Sequence, residues 1–342
     1  MTETAFPYVL ALFAASAVVI AAAGVVITGD ADRLADKTRF GEAMVGGMLL
    51  GMATSLSGSV VSITAALDGR ASLAFANGVG GIAAQTAFLS FADMVFRRAN
   101  LEHASAELAN VLQAALLTLL LSTAIVAATG PEITVVGIHP ASLLLPIIYV
   151  IGLRASAKLR EEPTWYPVHT PETREDVPSD DSSDDVAVQT LVFRFAALAI
   201  ILGGAGWTIS KAAGVIADRG GLSETVVGAL MTAVATSLPE LVTTLAAVRR
   251  GALQLAVGGI IGGNAFDVLF LSAADIAYRP GSLYHAVGNA DLLWVGVGLA
   301  MTSVLLLGLI VRQRQGPGGI GFESALILVI YVAAVALQFG AA

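Results

Sequence analysis

Residues 235–242 read Ala-Thr-Ser-Leu-Pro-Glu-Leu-Val, and residues 53–60 read Ala-Thr-Ser-Leu-Ser-Gly-Ser-Val. The two copies lie 182 residues apart, and this offset pairs further identical residues without a gap. They include Gly80-Gly81 with Gly262-Gly263, Phe88-Leu89-Ser90 with Phe270-Leu271-Ser272, and Ala92-Asp93 with Ala274-Asp275. Two unrelated apolar segments share alanines and leucines by chance, but they do not keep one register through Thr-Ser, Gly-Gly and Asp. We therefore infer an internal repeat, at about 42–94 and 224–276.

The chain around these copies is too apolar for a soluble protein. Hydrophobic residues make up 56% of it and charged residues 13%, against ~25% charged in typical soluble domains. The mean hydropathy is +0.81. The alternative, a very apolar soluble helical protein, would still need a charged surface. Between short charged clusters lie apolar runs of about 20 residues, long enough to cross a bilayer. We predict ten spans, at about 8–28, 43–67, 71–96, 107–128, 133–154, 188–216, 223–248, 252–277, 289–311 and 322–340.

The spans divide into two halves. Residues 155–187 are hydrophilic and hold four prolines, so we predict a loosely held cytoplasmic linker there. It separates a first five-helix half, 1–154, from a second, 188–342. An odd number of helices per half makes the second copy enter the bilayer from the opposite side. The predicted fold is an all-α integral membrane protein with ten transmembrane helices in two inverted five-helix repeats.

The arginines and lysines predict the orientation, because they accumulate on the cytoplasmic side. With the N-terminus outside, the inner loops hold Arg33, Lys37, Arg39, Arg97, Arg98, Arg154, Lys158, Arg160, Arg174, Arg194, Arg249, Arg250, Arg312 and Arg314. The outer loops hold Arg70, Lys211, Arg219 and Arg279. We therefore predict a multi-pass plasma-membrane protein with both termini outside.

Two carboxylates lie well inside predicted spans, away from the span ends: Glu240 in the seventh and Asp267 in the eighth. A carboxylate within the bilayer is costly and usually functional. Thr236 shares a helix face with Glu240 at four-residue spacing, and Ser237 lies three residues before it. Pro239 displaces the carbonyl oxygen of Ala235 from its helical hydrogen bond and makes it a candidate cation ligand.

The first copy supplies neutral oxygens instead of carboxylates. Its helices carry Thr54 and Ser55, and then Asn77 and Gln85 on one face with Gly81. Together the two copies offer hard oxygen ligands, which suit sodium, calcium, magnesium or a proton exchanged with one of these. Serines and glycines at such helix contacts also serve packing alone. We expect Asp93 and Asp275, near span ends, to be structural or solvated, and the four histidines to be solvated loop residues.

The second copy resembles the α-repeat of the calcium/cation antiporter superfamily, which includes the sodium/calcium exchangers. The resemblance rests on residues 235–242 and on Gly-Gly-Asn-Ala-Phe-Asp at 262–267, with the family's spacing between Glu240 and Asp267. It implies an exchanger without a cofactor, whose first and sixth helices slide across the others. It also implies cation ligation by Thr236, Ser237, Glu240 and Asp267, with Thr54 and Ser55 matching in the first copy.

The first copy departs from the family's pattern. Gly58 stands where the family has a second Glu, Ser57 replaces its Pro, and Gln85 replaces its Asn. Gly81 and Gly263 stand where the family has serines. Removing a carboxylate from a low-dielectric site weakens the attraction for a divalent ion by several kcal/mol. These departures make an exchange of three sodium ions for one calcium doubtful.

The sequence thus favours a secondary-active cation antiporter with alternating access at a midplane site. Its cation ligands would be Glu240 and Asp267, with Thr236, Ser237, Thr54, Ser55, Gln85 and Asn77 around them. The transported ions would be calcium, sodium or both, with magnesium and protons left open. The alternatives are a proton- or sodium-coupled exchanger for another cation, and a channel-like or transport-dead protein on the same scaffold. We expect no enzyme, no cofactor and no nucleic-acid partner; the partners are the lipid bilayer and inorganic cations, and the oligomeric state stays open.

Overall fold

A computed structural model describes residues 5–38, 52–96, 98–163, 165–173, 186–316 and 319–340, apart from the side chains of 32, 35, 36 and 38. The regular structure in these ranges is helical, with one isolated β-bridge between Val135 and Ile138. In the first half the helices are α1 (Phe6–Thr38), α2 (Leu56–Leu67), α3 (Ala71–Val95), α4 (Leu101–Ala104), α5 (Leu108–Thr129) and α6 (Ala141–Glu161). In the second half they are α7 (Val188–Gly220), α8 (Glu224–Thr236), α9 (Leu238–Arg250), α10 (Leu253–Asp267), α11 (Leu269–Ala277), α12 (Leu283–Ala286), α13 (Asn289–Val311) and α14 (Phe322–Gly340).

The described helices fit a membrane protein. Eight are long and apolar enough to span a bilayer, counting residues 253–277 as one, and a ninth span results if α8 and α9, bent by 45° at their junction, are taken together. The short apolar helix α2 falls in the predicted span 43–67. Residues 39–51, which include the start of that span, lie outside the described residues.

The structure corrects the predicted start of the fifth span. Helix α6 begins at Ala141 rather than near residue 133, because Val136 and Gly137 both have positive φ angles and form a turn that a helix cannot contain. The helix then continues to Glu161, into the segment that we assigned to the linker. Its last turn carries Lys158 and Arg160, and basic side chains stabilise a helix C-terminus.

The helix boundaries follow the 182-residue offset of the sequence repeat. The offset relates both ends of α1 to both ends of α7, and α4 to α12. It also relates two breaks in the helices, because Ser55 (φ −89°, ψ 3°) and Ser237 (φ −93°, ψ 4°) both leave the helical conformation. Residues 52–54 and α2 flank the first break, and α8 and α9 flank the second.

Helices α3 and α10 with α11 form the centre of the bundle. Of the most apolar stretch of 18 residues in each, 83% is buried in α3 and 67% in α10 with α11, whereas 28% is buried in α1 and 17% in α7. Small residues permit the close packing at the centre. A Cβ atom on Gly80 of α3 would lie 2.4 Å from the Cα of Ala229 in α8.

The outer helices α1 and α7 lie across the two helix breaks through matching glycine contacts. A Cβ atom on Gly24 of α1 would lie 2.3 Å from Pro239, and one on Gly206 of α7 would lie 2.6 Å from the Ser57 carbonyl oxygen. The offset relates Gly24 to Gly206 and Ser57 to Pro239. The two halves therefore use equivalent contacts at equivalent places.

The burial of side chains tests two predictions, one about the Asp residues near span ends and one about the histidines. Asp93 and Asp275 are fully buried and accept backbone N–H groups, which supports a structural role over a solvated one. The prediction of four solvated histidines is wrong for His103 and His139, which are buried. His103 contacts the Arg312 carbonyl oxygen and the Thr170 hydroxyl at 2.7 and 2.9 Å. The sequence could not show this, because both contacts join segments far apart in the chain.

Candidate cation site

The two helix breaks bring the polar residues of both copies to the centre of the bundle. At the second break, the Ser237 N–H bonds back to the carbonyl oxygens of Ala233 and Val234, and Leu238 starts a new helix. Pro239 is tolerated there because it occupies the first turn of that helix. One turn earlier, residues 227–232 form a π-helical turn, a feature that often accompanies functional sites.

Asp267 is the best-anchored carboxylate of the site. It is 2% exposed and accepts hydrogen bonds from the Ser55 hydroxyl (2.5 Å) and the Gln85 side-chain amide (2.7 Å). The same Gln85 nitrogen lies 3.1 Å from the Ser237 hydroxyl oxygen. The repeat offset relates Gln85 to Asp267 and Ser55 to Ser237. Equivalent residues of the two copies therefore meet at the centre. Ser55 of the first copy contacts Asp267 of the second, and Gln85 of the first contacts Ser237 of the second.

Glu240 is the second carboxylate, and it is 5% exposed. Its side chain accepts a hydrogen bond from Thr54. Its Oε2 atom is buried without a hydrogen-bond partner among the described residues, and so is the Oε1 atom of Gln85. A buried oxygen without a donor is costly. These two acceptor atoms are therefore candidate ligands for a cation.

Asn77 and Thr236 complete the polar surroundings. The Asn77 amide donates to the carbonyl oxygen of Gly58 (3.0 Å) and to the Ser62 hydroxyl (2.9 Å), and its Oδ1 accepts from Thr232 (2.8 Å). Asn77 is thus held rigidly by its neighbours. Thr236 donates its proton to the Thr232 carbonyl oxygen at 3.0 Å, which leaves the lone pairs of the hydroxyl oxygen available to a cation.

A small cavity lies between these groups. Its volume is about 10 Å³, roughly what one water molecule needs. It is lined by Ser55, Gly58, Asn77, Gly81, Gln85, Thr236, Ser237, Glu240, Asp267 and Phe270. Seven of the eight residues that the sequence singled out line it, and Thr54 lies behind Glu240 as a hydrogen-bond donor.

Phe270 is the lining residue that sequence reasoning missed. A Cβ atom on Gly58 would lie 2.8 Å from the Phe270 ring and 3.6 Å from the Thr236 hydroxyl oxygen. The offset relates Gly58 to Glu240, so the ring occupies the space of the first-copy glutamate. A glycine at this repeat position, opposite a glutamate in the other copy, was the signal that another side chain fills the gap.

A larger open cleft of about 510 Å³ lies elsewhere, lined by residues that include Asp68, Arg70, Lys211 and Asp218. Its charges neutralise each other: Lys211 pairs with Asp68 at 2.6 Å and Arg70 with Asp218 at 2.5 Å. Within the described ranges, no group of three or more His, Cys, Asp or Glu side chains is arranged to hold a metal ion. A cation between Glu240 and Asp267 would therefore take its remaining ligands from neutral oxygens.

Comparisons with known proteins agree with this architecture. The family model described as "Sodium/calcium exchanger protein" matches residues 8–155 and 190–340. The chain is 33% identical over 119 residues to a putative antiporter, CaxA, of Alkalimonas amylolytica, covering 35% of this chain and 36% of the relative. It is 30% identical over 143 residues to the sodium/calcium exchanger MaX1 of Methanosarcina acetivorans, covering 42% of this chain and 40% of the relative. These alignments span less than half the length of either relative.

Solved structures resemble the whole chain. The crystal structure of the H⁺/Ca²⁺ exchanger CAX has a TM-score of 0.68 at 15% identity, covering 96% of this chain and 85% of the other. A structure of the sodium-calcium exchanger NCX_Mj has a TM-score of 0.61 at 18% identity, covering 97% and 99%. At these identities the likeness shows the fold alone, whereas the family model covers both halves of the chain. The chain is a multi-pass membrane protein of the sodium/calcium exchanger family.

Proposed function

We propose that the protein is a secondary-active cation antiporter of the sodium/calcium exchanger type, and that Glu240 and Asp267 bind the transported cation. The observation that carries this proposal is that both carboxylates line one buried cavity with neutral oxygens from both copies. Two buried carboxylates without a basic partner among the lining residues need a positive charge or protons. Carboxylate, hydroxyl and amide oxygens are the ligands that calcium and sodium prefer.

The charge of the cavity limits what one cycle carries. Two carboxylates balance one divalent ion, two monovalent ions or two protons. Because Phe270 fills the space beside Gly58, a third carboxylate and the ion that it would neutralise have no room. We therefore propose exchange of one divalent cation against two monovalent charges, which bind the same carboxylates in turn.

The outer helices supply a route for alternating access. Helices α1 and α7 pack along each other, and most residues of their apolar stretches are not buried inside the bundle. They contact the site helices through Gly24 and Gly206, and glycine leaves a smooth surface along which a helix can slide. We propose that these two helices move as a unit across the helix breaks, and so expose the cavity first to one side of the membrane and then to the other.

The proposed topology has ten membrane spans in two inverted five-helix repeats, with a midplane site. The constant offset between α1 and α7, and between α4 and α12, supports the repeat. The excess of arginine and lysine on the side of the linker supports the orientation, with both termini outside and residues 155–187 in the cytoplasm. Cell-surface labelling of cysteines introduced near residues 2 and 165 distinguishes the two sides.

Flux in proteoliposomes tests the proposal. Calcium uptake is measured under imposed sodium and proton gradients for the wild type, Glu240→Gln and Asp267→Asn. We expect both variants to lose exchange, because each leaves a single negative charge in the cavity. The matched control is Glu107→Gln, which removes a carboxylate of a surface ion pair with Arg160 and leaves exchange intact. Wild-type transport by Glu240→Gln would remove that carboxylate from the mechanism.

Two alternatives follow from Gly58 and Phe270. A proton- or sodium-coupled exchanger for magnesium or sodium would show no calcium uptake in the wild type, and both variants would lose the flux of the cation that it carries. A channel-like or transport-dead protein would give currents above carrier turnover, or no stabilisation by cations in detergent. The gradient series of the flux assay, current recordings, and thermal unfolding in detergent with and without cations distinguish these outcomes.

A further inference from the structure

A second buried pair of carboxylates lies away from the cavity, at the end of the bundle where residues 165–173 pack. Glu102 of α4 and Glu323 of α14 have 0% exposed side chains. The Asp93 carboxylate accepts the N–H groups of Leu101 and Gly321, which brings the start of α4 next to the start of α14, and the two glutamate side chains interact there. None of their four oxygen atoms has a hydrogen-bond partner among the described residues. As two carboxylates, they would face each other without any donor between them.

The two glutamates lie at a corner of the fold around Asp93. The equivalent corner around Asp275, at the other end of the molecule, shows which contacts form such a corner. There the Asp275 carboxylate accepts the N–H groups of Leu283 and His139, both at 2.8 Å, and the Ser142 hydroxyl at 2.6 Å. At the corner with the two glutamates, Asp93 accepts the N–H groups of Leu101 (2.7 Å) and Gly321 (2.9 Å). The 182-residue offset relates these Asp residues to each other, and it relates the backbone donors Leu101 and Gly321 to Leu283 and His139.

The two corners differ in the pair itself. The same offset relates Glu102 to Tyr284 and Glu323 to Ala141. Tyr284 is buried and its hydroxyl lies 3.4 Å from the Ser142 hydroxyl, so neither of these two positions carries a carboxylate. The fold therefore forms this corner without the two glutamates, and their presence at one end needs another explanation.

The charged groups around the pair do not neutralise it. Asp93 of α3 adds a further carboxylate. Arg312, at the end of α13, directs its guanidinium to the carbonyl oxygens of Val168 and His103. The described residues contain no cluster of three or more acidic or histidine side chains arranged for a metal ion. Since two unneutralised carboxylates in one buried pocket are strongly unfavourable, a proton is the ligand that fits.

We propose that Glu102 and Glu323 form a proton-binding site, separate from the cation cavity, in which the two carboxyl groups share one proton. The shared proton lets one oxygen donate to the other, and so converts a repulsion into a hydrogen bond. Loss of the proton pushes α4 away from the start of α14. His103, next to Glu102, is hydrogen-bonded to Thr170 of the linker. A movement of α4 when the pH on the linker side changes therefore also changes the attachment of the linker.

The sign of the pH dependence follows from the folded state. Burial and the charges of Asp93 and Glu323 raise the pKa of Glu102 well above its ordinary value. The folded protein therefore holds a proton that the unfolded chain releases near pH ~4.3. The stabilisation is fully present below that pH, and it is lost as the pH rises through the folded-state pKa.

Thermal unfolding in detergent against pH tests the site, with the wild type compared to Glu102→Gln and Glu323→Gln. Where one proton differs between the two states, the unfolding constant of the wild type rises up to about tenfold per pH unit. Each single variant removes the pair and flattens this dependence, whereas Glu107→Gln, at a partly exposed ion pair, keeps it. Infrared difference spectra of the wild type minus each variant show the band of one protonated carboxyl group.

A second variant guards against misfolding of the first ones. Glu102→Tyr with Glu323→Ala copies the residues of the opposite corner, which the fold already accommodates, and gives the same flattened profile. If variants that fold keep the wild-type pH dependence, or lose no protonated-carboxyl band, the proposal is overturned. The comparison is independent of transport, because Glu240 and Asp267 are present in every protein tested.

Discussion

The space opposite Gly58 gives a sharp test of how the cavity sets its charge. Gly58→Glu restores a carboxylate at the position that the offset relates to Glu240. By itself this change places a Cβ atom 2.8 Å from the Phe270 ring, so the ring must move. Phe270→Ala removes the obstacle, and the double variant offers three carboxylates to one ion.

The magnitudes follow from packing and from charge. Overpacking a core costs about 1–3 kcal/mol, and Phe→Ala alone leaves a cavity that costs about 3–5 kcal/mol. Because each change compensates the other, we expect the double variant to be less destabilised than the sum of the two single variants. A third carboxylate about 4 Å from a divalent ion adds attraction of several kcal/mol at an effective dielectric constant near 20. Desolvation of the new charge opposes part of this gain.

Calcium binding by isothermal titration and calcium flux in proteoliposomes measure the outcome. We expect the double variant to bind calcium at least about tenfold more tightly, which corresponds to ~1.4 kcal/mol, and to exchange more monovalent charge per calcium. Phe270→Ala alone is the matched control and gains no affinity. Unchanged calcium affinity in a folded double variant would refute the view that Phe270 occupies the place of a ligand.

Three further predictions concern positioning, movement and stability. Ser55→Ala removes the hydroxyl that holds Asp267, and we expect a loss of about 1.5–3 kcal/mol of stability, with weaker cation binding by titration; unchanged affinity would contradict the role of Ser55. Gly206→Val drives a side chain into the Ser57 carbonyl oxygen, and strain of about 1–3 kcal/mol in the moving state slows flux by up to ~100-fold with equilibrium cation binding retained; wild-type flux would argue against sliding of α7. Asp275→Asn weakens the three hydrogen bonds to that carboxylate, so the thermal midpoint falls while cation affinity is kept, and loss of affinity instead would link this corner to the site.

Much of the fold follows from local properties of the sequence. Long uncharged runs predicted the helices, and the limits of α5 (Leu108–Thr129) agree with the prediction to within one residue. The start of α6 was missed because residues 133–138 are apolar yet form a turn around Val136 and Gly137. Hydropathy cannot distinguish an apolar turn from an apolar helix.

The site was predictable in its members but not in its arrangement. Glu240 and Asp267 stand out as carboxylates within apolar runs, and the repeat offset relates Ser55 to Ser237 and Gln85 to Asp267. Which donor meets which acceptor is a tertiary property: Ser55 and Asp267 are 212 residues apart in the chain and 2.5 Å apart in the structure. The pairing of Glu102 with Glu323 is likewise a tertiary property. The repeat did not indicate it, because neither residue has a carboxylate at the equivalent position of the other copy.

The position of the bound ion tests the central claim most directly. Crystals soaked with strontium, as a heavier substitute for calcium, give an anomalous difference map in which the ion is located independently of the protein model. We expect one peak in the cavity, within about 2.3–2.6 Å of oxygen atoms, as for calcium, or slightly further, and shared by Glu240 and Asp267. A peak that contacts neither carboxylate, or a peak that persists unchanged in Glu240→Gln, would contradict the account.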